Sequence, residues 1–478
     1  MKLKHLSLSV MVMGATFGLM STQAVASGYQ FGSQSVSGQG TAHANGAEAN
    51  DPSTIFANPA GLSRLDGTQI SGGATLVVPH SEYTDNGSTN ILGQPTGGGN
   101  GGSFAPKAVA APNFYLSHKV NDKINVGVGV FVPYGAKLDY GFDWAGRYAL
   151  KSVNLQSFNI NPSMSFKLDD RHSFGFGISA QYMDAKLQQM ADAASGLKQT
   201  FGPLAAGVRG DGLADVQGDD WGFGWNIGYM FQLDENTRFG LAYRSSIKQS
   251  LSGTSTWTFN NVQGNVVIPP IPGLPLPPGT YRGSVLAKAK HPNASAKVDV
   301  TTPETASANF FHQLNPKWAL MGDVTWVANS QMKNIAIQQS TVNGTAQGDM
   351  VIHQNWRDTW RVSLGANYQY NDTWLFRGGV AWEQSPLQSD SDRHPALPDS
   401  DRLWLSLGAN YKINKQSSVD VAYSFINFTN ANVNYTDGCS PTGKSPTTGA
   451  ACTGNGGTVK GSYKTYLQLI GLQYNYRF

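Results

Sequence analysis

The chain has 478 residues with a net charge of +3, and 14% of its residues are charged, against about 25% in ordinary globular proteins. So small a net charge leaves no electrostatic footprint for nucleic acid. Mean hydropathy is -0.29, and no run of about eighteen apolar residues follows the N-terminal region, which excludes a bundle of membrane-spanning helices. The 55 glycines and 11% aromatic residues fit a transmembrane barrel, whose strands have one apolar and one polar face.

Residues 1–26 have the layout of a secretory signal peptide. Basic residues precede an apolar stretch over residues 6–20, and Ala24-Val25-Ala26 provides a small-residue cleavage site. A membrane-spanning helix is the alternative, but the apolar stretch is short and polar residues end it. The mature chain is therefore predicted to begin at Ser27 and to be exported.

Residues 27–67 show no regular alternation of apolar and polar positions. They consist largely of small residues and turn formers, which predicts a compact segment without long strands. Phe31, Ile55 and Leu62 are apolar enough to require burial. Because the segment precedes the barrel, we predict that it forms a hatch, or plug, inside the lumen. A flexible periplasmic tail is the alternative.

From residue 68 onward, large apolar residues alternate with small or polar ones. Between Trp221 and Phe231 every odd position is large and apolar, whereas the even positions include Gly222, Gly224 and Gly228. Such a strand has two unlike faces, and its length suits a tilted crossing of a bilayer. Strands are predicted near residues 68–84, 109–118, 124–133, 151–168, 172–189, 216–232, 237–258, 284–313, 317–338, 349–370, 373–386, 401–413, 416–436 and 458–478.

The connections between these strands alternate between tight turns and long loops. Asn121-Asp122 and Asn371-Asp372 are tight turns, whereas segments such as 85–108 and 190–215 are long. Short turns on one rim and long loops on the other are typical of bacterial outer-membrane barrels. A soluble sandwich gives no reason for this alternation. The sequence therefore predicts an all-β fold, a 14-stranded antiparallel transmembrane β-barrel over residues 68–478, in the outer membrane of a Gram-negative bacterium.

The third predicted strand ends in residues that weaken a wall. Valines alternate with glycines up to Val132, and Pro133 and Gly135 follow. Proline cannot donate to the hydrogen-bond ladder, and glycine weakens or bends a strand. This end is therefore predicted to be a kink at which the wall opens sideways. The alternative is that Pro133 merely begins the outer loop.

Two of the long loops are unusually apolar for an outer surface. In residues 190–215, Leu197, Phe201 and Leu204 recur at helical spacing, and residues 266–278 are rich in proline and aliphatic side chains. Exposed apolar surface usually marks a binding site, so these loops are predicted to capture an apolar ligand. The alternative is that the two loops pack on each other.

The two cysteines, Cys439 and Cys452, lie in one Gly/Thr/Pro-rich segment. In an exported protein they are predicted to form a disulfide that closes a surface loop. A metal site or a nucleophile would need partners that the nearby sequence lacks. The chain also has no Gly-x-Ser-x-Gly and no His-Glu-x-x-His motif, so no enzyme activity, metal or cofactor is expected.

Several short motifs, in order along nearly the whole mature chain, together resemble one family. They are Gly28-Tyr29-Gln30-Phe31, Asn58-Pro59-Ala60, residues 221–226 with Tyr243-Arg244-Ser245, Asp358-Thr359-Trp360-Arg361 and Pro398-Asp399-Ser400-Asp401-Arg402. In these motifs the chain is similar to the long-chain fatty acid transporters of the Gram-negative outer membrane (FadL type), which include relatives that take up aromatic hydrocarbons.

The resemblance implies a fourteen-stranded barrel with a hatch, an outer groove between two long loops, and a lateral exit at the third-strand kink. It implies that Gly28, Tyr29 and Phe31 lie near the bound ligand. Lys333 corresponds to a basic residue that faces the carboxylate in fatty-acid members. At the end of the fifth strand, where such members can carry arginine, this chain has Gln189.

The function expected from these features is uptake of hydrophobic compounds, foremost long-chain fatty acids, by loop capture, hatch movement and lateral exit. Uptake of aromatic or alkane hydrocarbons by the same route is the first alternative, and a general porin is the second. A purely structural or adhesive barrel also stays open. The expected partners are a hydrophobic small molecule, outer-membrane lipid and lipopolysaccharide, with no nucleic acid, and the chain is expected to be a monomer.

Overall fold

A computed structural model gives the structure of residues 29–273, 276–332, 334–344, 347–438 and 457–478. Helices in this part of the chain are short. They are α1 (Val36–Gln39), α2 (Thr54–Ala57), α3 (Ala193–Phe201) and α4 (Gly283–Lys290), with 3-10 helices at Pro59–Arg64, Gly202–Ala205 and Asn329–Gln331. None of the described helices is both long and apolar enough to cross a membrane.

Nearly all of the remaining regular structure is antiparallel strand. The strands are β1 (Thr68–Asp85), β2 (Val109–Lys119), β3 (Ile124–Phe131), β4 (Gly135–Asp139), β5 (Ser152–Lys167), β6 (His172–Ala191), β7 (Gly212–Gln232), β8 (Thr237–Arg244), β9 (Ile247–Thr258), β10 (Asn265–Ile268), β11 (Gly279–Arg282), β12 (Ala294–Thr302), β13 (Thr305–Gln313), β14 (Trp318–Val327), β15 (Asn334–Gln339), β16 (Met350–His353), β17 (Thr359–Gln369), β18 (Trp374–Glu383), β19 (Arg402–Lys412), β20 (Ser417–Phe428), β21 (Ala431–Thr436) and β22 (Thr458–Arg477).

These strands close into a barrel because the first one, β1, pairs with both β2 and the last one, β22. Six crossings of the wall are each interrupted into two strands, namely β3–β4, β8–β9, β12–β13, β14–β15, β16–β17 and β20–β21. The hairpin β10–β11 stands apart from the wall. The wall therefore has fourteen crossings, and the predicted antiparallel 14-stranded barrel is confirmed.

The side-chain pattern of the wall is inverted relative to a soluble protein. Phe223 is 75% exposed and Leu407 61% exposed, whereas the inward-facing Ser71, Ser117 and Ser406 are fully buried. Bulky residues that face outward suit contact with lipid, and small polar residues suit a filled lumen. The alternation seen in the sequence is thus the alternation between the two sides of the wall.

One predicted strand begins later than the sequence suggested. The run over 284–313 starts with α4 and becomes strand only at Ala294. Residues 283–290 read Gly-Ser-Val-Leu-Ala-Lys-Ala-Lys, and their alanine, leucine and lysine are strong helix formers. Local propensity therefore determines the structure here, because none of the described strands pairs with this stretch.

Candidate functional site

The described part of the N-terminal region, residues 29–67 (the N-terminal segment), lies against the inner face of the wall. The backbone N–H of Val36 donates to Gln473 Oε1 at 2.9 Å, and Tyr115 donates its hydroxyl to the Gln34 carbonyl at 2.8 Å. Lower down, Arg238 donates to the backbone carbonyls of the segment at Ala47 and Glu48. These bonds satisfy backbone groups of the segment that are buried away from water.

The Asn58-Pro59-Ala60 motif anchors the lower end of this segment. Asn58 caps the 3-10 helix that follows it, by accepting from the Ala60 N–H at 3.1 Å. The same side chain donates to the Tyr229 carbonyl of β7 at 3.1 Å. On β6, a Cβ added to Gly175 would overlap the backbone of Pro59 and Ala60. Glycine in the wall therefore lets the segment approach the strand backbone closely.

The first part of the segment, residues 29–34, crosses the lumen at the level of the third-strand kink, and we call it the strap. The Phe31 N–H donates to the Pro133 carbonyl at 2.7 Å, and Gln34 Nε2 donates to the Val132 carbonyl at 2.6 Å. Gln30 and Tyr134 form an isolated antiparallel bridge. The strap thus supplies backbone partners to the strand at the place where the wall is interrupted.

The interruption is a bulge between β3 and β4. Phe131 is in register with Asn159 of β5, and Gly135 with Gln156, so three residues oppose two. Ser157 Oγ accepts from the Tyr134 N–H at 2.9 Å and donates to the Tyr134 carbonyl at 2.8 Å. A side chain thus replaces the ladder, as happens where a bulge bends a strand. Val132, Pro133 and Gly135 therefore lie in or at the edge of the bulge.

The bulge leaves a gap in the wall on its other side. Pairing of β2 with β3 stops at Phe114, and β4 pairs only with β5 among the described residues. Residues 109–113 of β2 therefore have a strand partner only on their β1 side. Pro112 lies in this stretch, as expected of an edge. The side-chain amide of Asn113 is buried without a hydrogen-bond partner at the same level.

Above the strap lies a cavity of about 110 Å³, which we call the upper cavity. Its walls come from β5, β6, β7, β9, β12 and β15, and its lining is almost wholly apolar. The apolar lining residues are Tyr29, Tyr134, Val153, Leu155, Met183, Ala185, Leu187, Val216, Leu251, Ala296, Val298, Val300, Pro303, Met332, Ile335, Ile337, Ile352 and Ala396. Such a site suits an apolar ligand.

The two cations that line the upper cavity are both paired. Lys186 Nζ lies 2.9 Å from Asp215, and Lys297 Nζ lies 3.3 Å from Asp299. Gln189 is buried and donates to the Tyr148 carbonyl and to Asp437. The described lining of this cavity therefore offers no cation that lacks a carboxylate.

Two aromatic residues of the strap have separate positions. Tyr29 lines the upper cavity, and its ring lies 5.7 Å from that of Trp356. Phe31 is 4% exposed and packs with Val109 and Ala111, the residues of β2 that lack a neighbour on one side. Tyr29 thus closes the floor of the cavity, while Phe31 covers the gap from inside.

Below the strap lies a second cavity of about 100 Å³, the lower cavity, whose lining is more polar than that of the upper cavity. It is bounded by the strap, by the rest of the N-terminal segment and by β8, β13, β14 and β17. Its polar lining residues include Gln30, Gln34, Ser35, His43, Asn45, Ser53, Asn226, Arg244, Thr305, Ser307, Asp323, Thr325, Arg361 and Glu383. The strap is therefore a partition between an apolar and a polar chamber.

The apolar loops pack on each other. Leu197 of α3 is 3% exposed and lies in one cluster with Trp257, Phe259 and Val266; Phe201 and Leu204 are half-buried against it. The structure therefore has the alternative arrangement, in which the two loops pack on each other. Outside this cluster, Val267, Ile271 and Val285 remain exposed.

Several sequence predictions concern positions outside the described residues. These are the signal peptide over 1–26, the ligand contacts Gly28 and Lys333, and the disulfide between Cys439 and Cys452.

A sequence profile described as "Outer membrane protein transport protein (OMPP1/FadL/TodX)" matches residues 17–478. The chain belongs to this family. A putative outer membrane protein of Neisseria meningitidis serogroup B is 34% identical to this FadL-family chain over 98% of both proteins. The long-chain fatty acid transport protein of Escherichia coli K12 is 30% identical, covering 87% of this chain and 91% of that protein.

Solved structures share the fold of this FadL-family chain. A FadL homologue of Pseudomonas aeruginosa superposes with a TM-score of 0.77 at 22% identity, over 95% of this chain and 100% of that one. The toluene transporter TodX of Pseudomonas putida superposes with a TM-score of 0.59 at 15% identity, over 89% and 94%. Because of its family membership, and not of this structural likeness, the chain is a transport protein of the Gram-negative outer membrane for hydrophobic compounds, and not an enzyme.

Two features of this FadL-family site were missed in the sequence. Pro112 was a usable signal, since proline inside a predicted strand marks an unpaired edge. The contacts of Arg244 with Phe56 and Phe131 could not be predicted, although its motif contributed to the resemblance, because these residues belong to the N-terminal segment and to β3.

Proposed function

We propose that the chain takes up long-chain fatty acids through the upper cavity and releases them sideways through the gap beside β4. In this proposal residues 1–26 are a cleaved signal peptide, and residues 27–67 are the hatch of a monomer that works among lipid and lipopolysaccharide. The position of the strap is the observation that supports this proposal most directly. One short stretch places Tyr29 under the apolar cavity and Phe31 across the gap, so one movement would open both.

The free energy of ligand burial indicates that release, and not capture, is the step that needs a moving part. Burying a dozen methylene groups in an apolar site is worth about 10 kcal/mol, at roughly 0.8 kcal/mol each. Capture therefore needs no further device, whereas release has to overcome that affinity. Movement of the strap away from the bulge would break only a few bonds, chiefly those of Phe31 to Pro133 and of Gln34 to Val132. The freed backbone at the bulge would then border an open gap.

An engineered disulfide between the strap and the bulge tests this mechanism. Gln30 and Tyr134 face each other in an antiparallel bridge, whose Cα spacing of about 4.5–5.5 Å suits a disulfide. In a Gln30→Cys/Tyr134→Cys variant, oxidation should reduce uptake of labelled oleic acid to near background, and dithiothreitol should restore it. The reduced form and the two single variants are the controls. Unchanged uptake by the oxidised variant contradicts strap movement.

Uptake of uncharged aromatic hydrocarbons is a second candidate. It is favoured by Gln189 in place of arginine and by the pairing of Lys186 and Lys297 with acids, because a neutral ligand needs no cation. Competition of labelled oleic acid against toluene on the purified protein separates the two. Displacement by other fatty acids, with none by saturating toluene, supports the acid. Displacement by toluene alone supports the hydrocarbon.

A further inference from the structure

The lower cavity contains a cation without a counter-charge. Arg244, on the inner face of β8, has no carboxylate within 4.0 Å among the described residues. Its Nη2 donates to the Phe56 carbonyl at 3.2 Å, and its Nη1 donates to Ser179 Oγ at 3.3 Å. Both acceptors are neutral. A cation withdrawn from bulk water without an anion is costly unless other groups compensate for it.

The acids of the same cavity are engaged elsewhere. Asp323 accepts from Thr325 at 2.6 Å and from Asn309, and it lies 3.6 Å from Arg361. Glu383 accepts from Trp404 Nε1 at 3.0 Å. None of these contacts involves Arg244.

Further donors in this cavity lack acceptors. Arg361 Nε and Asn226 Nδ2 are buried without a hydrogen-bond partner, and both residues line the cavity. Unsatisfied buried donors are uncommon and cost free energy. A cavity of about 100 Å³ has room for a few waters, but an anion with several acceptor oxygens would satisfy these donors and also compensate Arg244.

Arg244 lies next to the proposed exit. Its guanidinium carbon is 5.6 Å from the ring centre of Phe131 and 5.1 Å from that of Phe56. Phe131 is the last residue of β3 before the bulge. The strap forms the boundary of both cavities, through Tyr29 above and through Gln30, Gly32 and Gln34 below. Movement of the strap would therefore join the apolar upper cavity to the lower cavity that contains Arg244.

We propose that Arg244, with Arg361 and Asn226, is a binding subsite for the carboxylate of the transported acid. The hydrocarbon tail lies above in the upper cavity, and the head group passes the strap to reach Arg244. This inference rests on the proposed function and adds a place for the charge, which the described lining of the upper cavity lacks. The ligand class is a long-chain monocarboxylate; a hydrocarbon or an alcohol would gain nothing from this subsite.

The test compares oleic acid with oleyl alcohol, which has the same tail and no charge. In Arg244→Gln, equilibrium binding of the acid should weaken about tenfold or more, as expected for loss of a charge-assisted bond, while binding of the alcohol changes less than twofold. Arg244→Lys should recover part of the affinity for the acid. The matched control is Arg238→Gln, since Arg238 is on the same strand and face, also holds segment carbonyls and lines neither cavity.

A second measurement distinguishes a role of Arg244 in binding the carboxylate from a role in anchoring the N-terminal segment. With the carboxyl carbon of oleic acid isotopically labelled, NMR should show the bound acid ionised to a lower pH in the wild type than in Arg244→Gln, because a nearby cation favours the carboxylate. The inference would be overturned if Arg244→Gln and Arg238→Gln both lost affinity for the acid and for the alcohol to the same extent, or if the titration of the bound acid were unchanged in Arg244→Gln. Either result would leave the transport function standing. A wild type that binds no oleic acid overturns both.

Discussion

The two ends of the lumen, above and below the strap, have opposite character. Above it, the wall presents large aliphatic side chains around an open apolar space. Below it, the wall presents glycine, small polar and charged residues, and the N-terminal segment packs against them. Ile55 and Leu62 of the segment pack against Gly127 on β3. The same barrel thus has an open apolar space at one end and the packed N-terminal segment at the other, and the inward-facing side chains of the wall differ accordingly.

The largest effect is expected from breaking the lower end. A Cβ on Gly379 of β18 would overlap the backbone of Thr41 and Ala42, so Gly379→Val should displace the segment. The variant should show steady ion conductance in planar bilayers where the wild type is closed. Gly378→Val is the matched control, because the nearest atom to its added Cβ is Leu407 Cδ2 at 4.0 Å. If neither variant conducts ions, close packing at Gly379 is not what keeps the lumen closed.

A smaller effect is expected from filling the upper end. Ala185 of β6 lines the upper cavity, and Ala185→Phe should weaken binding of both acid and hydrocarbon about tenfold, the equivalent of roughly two buried methylene groups. Ala180→Phe lies on the lipid-facing side of the same strand and should leave affinity unchanged. Calorimetric or fluorescence titration in detergent measures both. If Ala185→Phe and the wild type bind these ligands with equal affinity, the ligand site lies elsewhere.

The smallest effect is expected from adding charge to the upper end. Gln189→Arg adds a cation at this end, but Asp437 lies at 2.9 Å from the present Gln189 amide nitrogen and would pair with the new cation. Affinity for oleic acid should therefore change less than about threefold, because the carboxylate is proposed to bind at Arg244, below the strap. Adding Asp437→Asn removes this pairing and should still change the affinity little, and affinity for toluene should stay constant throughout. A large gain in affinity for oleic acid in either variant would show that its carboxylate binds at the upper end instead.

The sequence predicts the wall of the barrel better than it predicts the contents of the lumen. The faces of β7 follow from a period of two between Trp221 and Phe231, because only one register places the bulky side in lipid. Pro133 likewise marked the bulge. The upper cavity could not be derived, since its lining comes from strands far apart in sequence. The direction of Arg244 was equally hidden, because its neighbours Phe56 and Phe131 precede it by more than a hundred residues.

The N-terminal segment also spans the seam at which the first and last strands meet. Gln39 accepts from Thr75 of β1 at 3.1 Å and donates to the Leu469 carbonyl of β22 at 3.1 Å. The N-terminal segment, which precedes β1, is thus hydrogen-bonded to the last strand to be synthesised. Because these bonds need both β1 and β22 in place, we expect the segment to dock only as the barrel closes, so that closure and docking form one cooperative step of assembly.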